Sequence, residues 1–325
     1  MTHQSRRNAE NEGGHDAIER RGRPTFGDRD AVRVAMEALL RLEGVQAQSC
    51  WSEGGSGGVH WLEAGNGPPL ILLQGAGGGA ANWYRLIGPL ARRHRVLAPD
   101  LPGFGLSAGI EPVFPLGEQA ARLMHDWLDR TGVEDPVDLL GTSFGGLVAL
   151  RMTLARPDRV RRLVLLNACG LGRGVALPVR IAALAPFRSA IRHPSRAGTA
   201  LLFRTLLTAR RDGIPADQQA AIIDYTWRAA CADTGDTLAR ALGMFTGLSG
   251  QREILGDVLL AGIRQPCLML WGGSDRFLPC AHASRIGRLL PDARVRVLAG
   301  IGHSPNWEAP AAVLDAVLPF LTAPP

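Results

Sequence analysis

The sequence predicts an α/β fold: a mostly parallel sheet with helices on both faces and a helical segment inserted late in the chain. Three observations predict it. Short apolar runs alternate with amphipathic helical periods along most of the chain. The runs are nearly continuous rather than alternating, as strands covered on both faces require. One stretch, 171–258, shows no clear strand and several helical patterns rich in Ala, Leu and Arg. That is far more chain than a crossover connection needs.

The elements follow in order. Residues 1–28 are polar, charged and Gly-rich and predict a disordered tail. They contain no apolar h-region, so no secretory signal is expected. From Asp30 an amphipathic pattern runs through Val32, Met36, Leu39 and Leu40 to a stop at Gly44 and predicts a short helix. Strand-like runs come next at Val59–Ala64, Leu70–Gln74, Arg95–Pro99, Val137–Gly141 and Arg162–Asn167. Helical periods lie between them at Gly117–Arg130 and Phe144–Ala155. After the insertion, Cys267–Trp271 and Arg294–Leu298 read as strands, and Ala281–Leu290 and Ala309–Leu321 as helices. The expected division is a tail (1–28), a first core part (29–170), a helical cap insertion (171–258) and a second core part (259–325).

With 325 residues, 46% hydrophobic and 20% charged, the chain can bury a sizeable core. Its net charge of +6 and pI of about 9.7 invite a nucleic-acid reading. That reading is discounted. All 36 basic residues are Arg, they look scattered, and no basic stripe interleaves with aromatics. The five cysteines are odd in number, widely spaced and without a CxxC, which argues against a disulfide framework and a zinc site. No apolar run approaches the roughly 18 residues that span a bilayer. A cytoplasmic protein with a small-molecule substrate, no nucleic-acid partner and no membrane span is expected. The oligomeric state is left open.

The pattern G-x-S-x-G occurs twice. Gly54-Gly55-Ser56-Gly57-Gly58 follows no strand and opens no helix, and it reads as a flexible turn. Gly141-Thr142-Ser143-Phe144-Gly145 lies between the run Val137–Leu140 and the helical Leu147–Leu150. A strand–turn–helix context is what a nucleophile elbow requires. Ser143 is the candidate nucleophile.

A serine hydroxyl is a poor nucleophile until a base takes its proton and an acid orients that base. Two downstream loops supply them. Asp275 leaves the strand Cys267–Trp271 in Gly272-Gly273-Ser274-Asp275, and His303 follows a later strand in Gly300-Ile301-Gly302-His303-Ser304. The seven other histidines read as solvated or satisfied core residues. Asp100, the rival carboxylate, precedes Ser143 and reads as a turn stabiliser. An oxyanion hole is expected from the N–H of Phe144 and the N–H of Ala76 or, one register on, Gly77, in the loop Gln74-Gly75-Ala76-Gly77-Gly78-Gly79. Gly75, Gly77 and Trp83 are expected to touch substrate. No metal and no organic cofactor is expected.

On QGAGGG, PDLPGFGLS, GTSFGG, WGGSDRFLP and GIGHSPNWE, in that order from about Val59 to Phe320, the chain resembles the α/β-hydrolase superfamily. The resemblance implies an eight-stranded α/β-hydrolase sheet with a helical cap, and a Ser143–His303–Asp275 triad. Asn167–Gly172, Trp271–Pro279 and Asn306–Glu308 are similar to the meta-cleavage product hydrolases, which break C–C bonds. The chain departs from that group at Gln74, where most relatives carry His, and at Ser304, where the group usually carries an aromatic residue. The resemblance therefore implies cleavage of a small, fairly apolar ester through an acyl-enzyme. C–C bond hydrolysis and a hydrolase-like ligand receptor stand as alternatives.

Overall fold

The computed structural model describes residues 28–52, 58–107, 109–232 and 236–323. The expected tail up to residue 27, and the turn at Gly54–Gly57, lie outside them. Eight strands form one sheet: β1 (Gln48–Ser52), β2 (Val59–Ala64), β3 (Pro69–Leu73), β4 (Arg95–Pro99), β5 (Val137–Thr142), β6 (Val160–Leu166), β9 (Cys267–Gly272) and β10 (Ala293–Leu298). Their spatial order is β1-β2-β4-β3-β5-β6-β9-β10. β2 runs antiparallel to both β1 and β4, and the other neighbours are parallel. This is the mostly parallel α/β sheet that the alternation predicts.

β3 shows why the apolar runs are continuous. Leu70 and Leu72 point into one core cluster, Ile71 and Leu73 into the other. A strand has a side-chain period of two, so both faces of β3 are covered. The first face packs α1 (Arg29–Leu42), α2 (Tyr84–Ala91) and α13 (Pro310–Thr322). The second packs α3 (Leu116–Arg130), α4 (Phe144–Ala155) and α11 (Ala283–Leu289). α1 starts where Asp28 accepts the N–H of Ala31 at 2.9 Å, a side-chain cap. It stops at Gly44, whose φ of +60° is one a residue without Cβ adopts freely. β1 escapes sequence patterning because it is a half-exposed edge strand.

Between β6 and β9 the chain forms α5 (Leu177–Ala182), α6 (Ser189–Arg192), α7 (Arg196–Leu202), a π-helical turn (Phe203–Leu207), α8 (Ala216–Ala232) and α9 (Asp236–Phe245). A two-residue pairing, β7 (Thr246–Gly247) with β8 (Gly250–Gln251), and α10 (Asp257–Ala261) complete it. The segment has two tiers. α8 buries Ile222, Ile223 and Tyr225 in the first core cluster with Val32, Met36 and Leu39 of α1. Its Gln218 accepts from the Tyr84 hydroxyl (2.7 Å) and donates to Glu43 (2.8 Å). α7, by contrast, buries no side chain and α5 only Val179.

Candidate active site

Ser143 sits at the hinge of β5 and α4, with φ 51° and ψ −118°. Non-Gly residues rarely adopt such a conformation, and holding it costs on the order of 1–3 kcal/mol. The surrounding glycines are demanded by space. A Cβ on Gly145 would come 2.1 Å from the Leu73 carbonyl oxygen, and one on Gly141 2.4 Å from that of Gly145. β5, α4 and the end of β3 can thus close on one another, and the turn pushes the serine outward.

His303 and Asp275 arrive on the loops after β10 and β9. His303 Nε2 lies 3.1 Å from Ser143 Oγ, and His303 Nδ1 lies 2.9 Å from Asp275 Oδ2. The Phe277 ring stacks on the imidazole at 4.6 Å between centroids and 24° between planes. Asp275 Oδ1 accepts the N–H groups of Phe277 (2.7 Å) and Leu278 (2.9 Å). Burial raises the affinity of Asp275 for a proton. The charge of His303, together with hydrogen bonds from His303, Asn167 and Leu278, outweighs burial and holds the carboxyl below its usual range.

Two supporting residues were not picked out as such by sequence reading. Asn167, fully buried at the end of β6, donates from Nδ2 to Asp275 Oδ2 at 2.6 Å and accepts the Gly272 N–H at 3.2 Å. Its φ is +45°, in a region where Asn is enriched among non-Gly residues. Glu308 accepts the N–H of Gly302, next to His303, and those of Ala209 and Arg210 in the insertion, at 2.7–3.1 Å. It pins the loop of His303 to the inserted segment, and burial raises its proton affinity despite these bonds. An Asn or Glu after an apolar run signals a cap or turn. Spacing alone does not say which distant loop it will hold.

The Gly-rich loop lies beside the serine. A Cβ on Gly75 would be 3.2 Å from Ser143 Cβ, and one on Gly77 (φ +79°) 3.3 Å from Leu238 of α9. Ala76 lies between them, and the N–H of Phe144 heads α4, where a helix leaves donors unpaired. Gln74 turns away into the core. With its amide oriented to satisfy both groups, it donates to Pro99 O (2.7 Å) and accepts from Leu101 N (2.8 Å). Trp83 requires a correction. Expected at the substrate, it has no exposed surface, because the short 3-10 turn Ala80–Trp83 carries it into the first core cluster. α9 brings apolar groups to the neighbours of the serine, Phe144 and Gly77. Phe245 meets Phe144 edge-on at 6.1 Å, and Leu238 and Leu242 are half-buried nearby in the same cluster. Cys169 Sγ lies 3.7 Å from Ser143 Oγ, and burial pushes its thiol up to about 12, which keeps it protonated and inert.

A second Ser–His–Asp chain exists. Ser49 Oγ is 2.8 Å from His60 Nε2, and His60 Nδ1 is 2.7 Å from Asp100 Oδ2. Asp100 also accepts the N–H groups of Ala80 (2.5 Å) and Leu106 (2.7 Å), so it ties the Gly-rich loop to the turn after β4. The turn-stabilising role read for Asp100 matches this geometry. A surface cavity of about 620 Å³ opens near Gly67, Pro136 and Asp158, at the starts of β3, β5 and β6, the opposite end of the sheet from Ser143. It has no serine or cysteine in its lining. Among the described residues no group of three or more His, Cys, Asp or Glu side chains could hold a metal ion.

Residues 68–310 match the family model of the alpha/beta hydrolase fold. The chain is 30% identical over 271 residues to a 2-hydroxy-6-oxo-6-phenylhexa-2,4-dienoate hydrolase of Burkholderia cepacia, covering 81% of this chain and 91% of that protein. It is 32% identical over 302 residues to polyketide synthase ThaQ of Burkholderia thailandensis, a match that spans 92% of this chain but 14% of the synthase. In structure it is similar to carboxylesterase CesB from Bacillus subtilis, with a TM-score of 0.74 at 22% identity, over 90% of this chain and 98% of that one.

Proposed function

Since the chain belongs to the alpha/beta-hydrolase family, we propose that it is a serine hydrolase cleaving a small, fairly apolar carboxylic ester through an acyl-enzyme. One observation carries the reading: a single imidazole stands 3.1 Å from a strained serine hydroxyl and 2.9 Å from an ionised carboxylate.

Ser143 Oγ attacks the ester carbonyl while His303 Nε2 takes its proton. Asp275 holds the His303 tautomer and stabilises the imidazolium. The negative charge forming on the carbonyl oxygen meets the N–H groups of Phe144 and Ala76, fixed before the reaction begins. The tetrahedral intermediate collapses, and the alcohol leaves with the proton from His303. Water gives its proton to His303 as it attacks the acyl carbonyl, and the second tetrahedral intermediate releases the acid as His303 returns that proton to Ser143 Oγ. The half-buried Phe245, Leu238, Leu242 and Phe277 supply the apolar wall. The inserted segment, about 171–258, acts as a cap and carries specificity.

A second reading is C–C hydrolysis of a vinylogous diketone, favoured by the relative named as a dienoate hydrolase. It needs a cation for the substrate carboxylate. Arg188 offers one: a Cβ on Gly243 of α9 would stand 2.7 Å from its guanidinium. p-Nitrophenyl esters of short and medium acids, run beside a 2-hydroxy-6-oxo-dienoate, separate the two. The ester reading expects the esters to be turned over well and single Arg→Ala changes in the insertion to leave kcat/KM within a few-fold. Efficient dienoate cleavage with negligible esterase activity overturns it.

A further inference from the structure

The arginines look scattered until they are set against the acids. From Leu171 to Arg211 there are eight Arg and no Asp or Glu. The rest of the chain holds 28 basic and 30 acidic residues, so the whole net charge of +6 arises in this stretch. Use of Arg in place of Lys throughout the chain does not account for it, because that exchange leaves charge unchanged.

The same stretch forms the outer tier of the insertion, α5 to α7 and the π-helical turn. Large apolar side chains stand in water there: Leu177 is 62% exposed, Phe187 52% and Leu201 63%, with Ile181 and Leu202 also exposed. Leu177 and Ile181 are one helical turn apart on α5, so they share a face. Arg210 meets a carboxylate, that of Asp212 at 2.7 Å, in a pair more than half exposed on both sides. Arg180 donates to the carbonyls of Val175 (2.8 Å) and Leu248, and Arg211 to that of Arg204 (3.1 Å), bonds that leave the positive charge in place. Arg196 faces Asp224 at 3.7 Å, but it is more than half exposed and the pair is weak.

We propose that this tier docks on the surface of an anionic lipid bilayer, without crossing it. Guanidinium groups fit headgroup phosphates. Leu177, Ile181, Phe187 and Leu201 fit the boundary between headgroups and acyl chains, where a basic amphipathic surface settles. Nucleic acid would use the charge alone and leave the aliphatic side chains in water, with Phe187 the exposed aromatic that this tier offers for stacking among the described residues. α6 of this tier packs on α9, the helix that borders Ser143, so a docked molecule would bring its cleft close to apolar material in the bilayer.

Co-sedimentation of the full chain with vesicles tests the proposal. One set is phosphatidylcholine alone and the other contains phosphatidylglycerol. Binding to the anionic vesicles should exceed binding to the neutral ones by at least about tenfold and fall away as salt rises. Arg180→Glu with Arg204→Glu should weaken anionic binding by at least about tenfold. Leu177→Asp with Phe187→Asp should weaken it while Arg180 and Arg204 remain. Equal binding to both vesicle sets, or to neither, overturns the proposal, as does binding to duplex DNA with no binding to vesicles. Loss in the charge variant with none in the apolar variant also overturns it, because adsorption by charge alone needs no seat for Leu177. Should a variant fail to fold, the contrast between the two vesicle sets with the unaltered chain decides.

Discussion

Asn167→Asp tests whether the carboxylate beside His303 must be ionised. It exchanges the donor to Asp275 for a second acceptor at the same spot. The Asn167 nitrogen lies 2.6 Å from Asp275 Oδ2. Two carboxylates at that separation repel by about 6 kcal/mol at an effective dielectric constant of about 20. Keeping one of them protonated at pH 7 costs about 4 kcal/mol, from an ordinary carboxyl pKa near 4 and about 1.4 kcal/mol per unit. Repulsion is larger, so the pair holds one proton and one negative charge between them, and the part of that charge that moves to residue 167 is drawn away from His303. At pH 7 kcat for an ester should fall by about 10² to 10⁴, the upper bound being full loss of the orienting carboxylate. It should recover in part as pH rises and the shared proton leaves. Asn167→Ala removes one hydrogen bond to a charged group, about 1.5–3 kcal/mol, and should cost tenfold to about 150-fold with no alkaline recovery. The assay is the pH–rate profile of all three proteins, with thermal denaturation as the control. A wild-type profile for Asn167→Asp, or equal losses in both variants at every pH, would refute the argument and reduce Asn167 to a packing residue.

Other outcomes are equally direct. Ser143→Ala should lower kcat by several orders of magnitude, and a fluorophosphonate should label Ser143 while sparing Ser49 and Ser56, as peptide mapping would read. Asp275→Asn should keep the fold and cost about 10⁴ in kcat. Because the Asp275 pKa is lowered on folding, it adds stability above its unfolded value, about 3.9, and that contribution disappears as pH falls through the folded value. Denaturation curves of Asp275→Asn should therefore lack this part of the acid destabilisation. Glu308→Ala leaves the buried N–H of Gly302 and the N–H groups of Ala209 and Arg210 without their acceptor, at about 1–3 kcal/mol for each buried group. Its melting temperature should drop by several degrees, and an unchanged value would mean that the Glu308 carboxylate does not brace the loop.

The parts of the sheet with a local signal were legible. β3 and β9 are buried along their whole length and their runs are apolar throughout, while β5 and β6 carry Asp138 and Arg161–Arg162 near their starts and are apolar after them. Ser143 was legible because its turn is so tight that Gly141 and Gly145 have no room for a Cβ, and steric need writes itself into sequence. What escaped depends on contacts across long separations. Gln74 was noted as a departure, but that its amide bridges Pro99 and Leu101 follows from how β3 and β4 pair. Trp83 sits where a Gly-rich loop ends, and composition cannot say which way a 3-10 turn rotates the next ring. The basic outer tier escaped for another reason: counting Arg alone hides it, and only the missing acids between Asp158 and Asp212 expose it.

The two Ser–His–Asp chains show why residue identity and hydrogen-bond order do not make a nucleophile. Both have an imidazole between a hydroxyl and a carboxylate, with distances of 2.7–3.1 Å. They differ in what surrounds them. Ser49 lies in the edge strand β1 and has no positive φ. Asp100 spends its carboxylate on Ala80 and Leu106, holding the Gly-rich loop in position. Ser143 is held at positive φ against a helix N-terminus and a loop whose Gly75 leaves no side chain in the way. Under the proposed mechanism, charge developing on a carbonyl oxygen at Ser143 meets the N–H groups of Phe144 and Ala76. Removal of one such donor costs roughly 10² to 10³ in rate, so a serine that lacks them all is slow however well its histidine is oriented. The Ser49 chain ends on Asp100, which accepts the N–H of Ala80 at the end of the loop that carries Ala76.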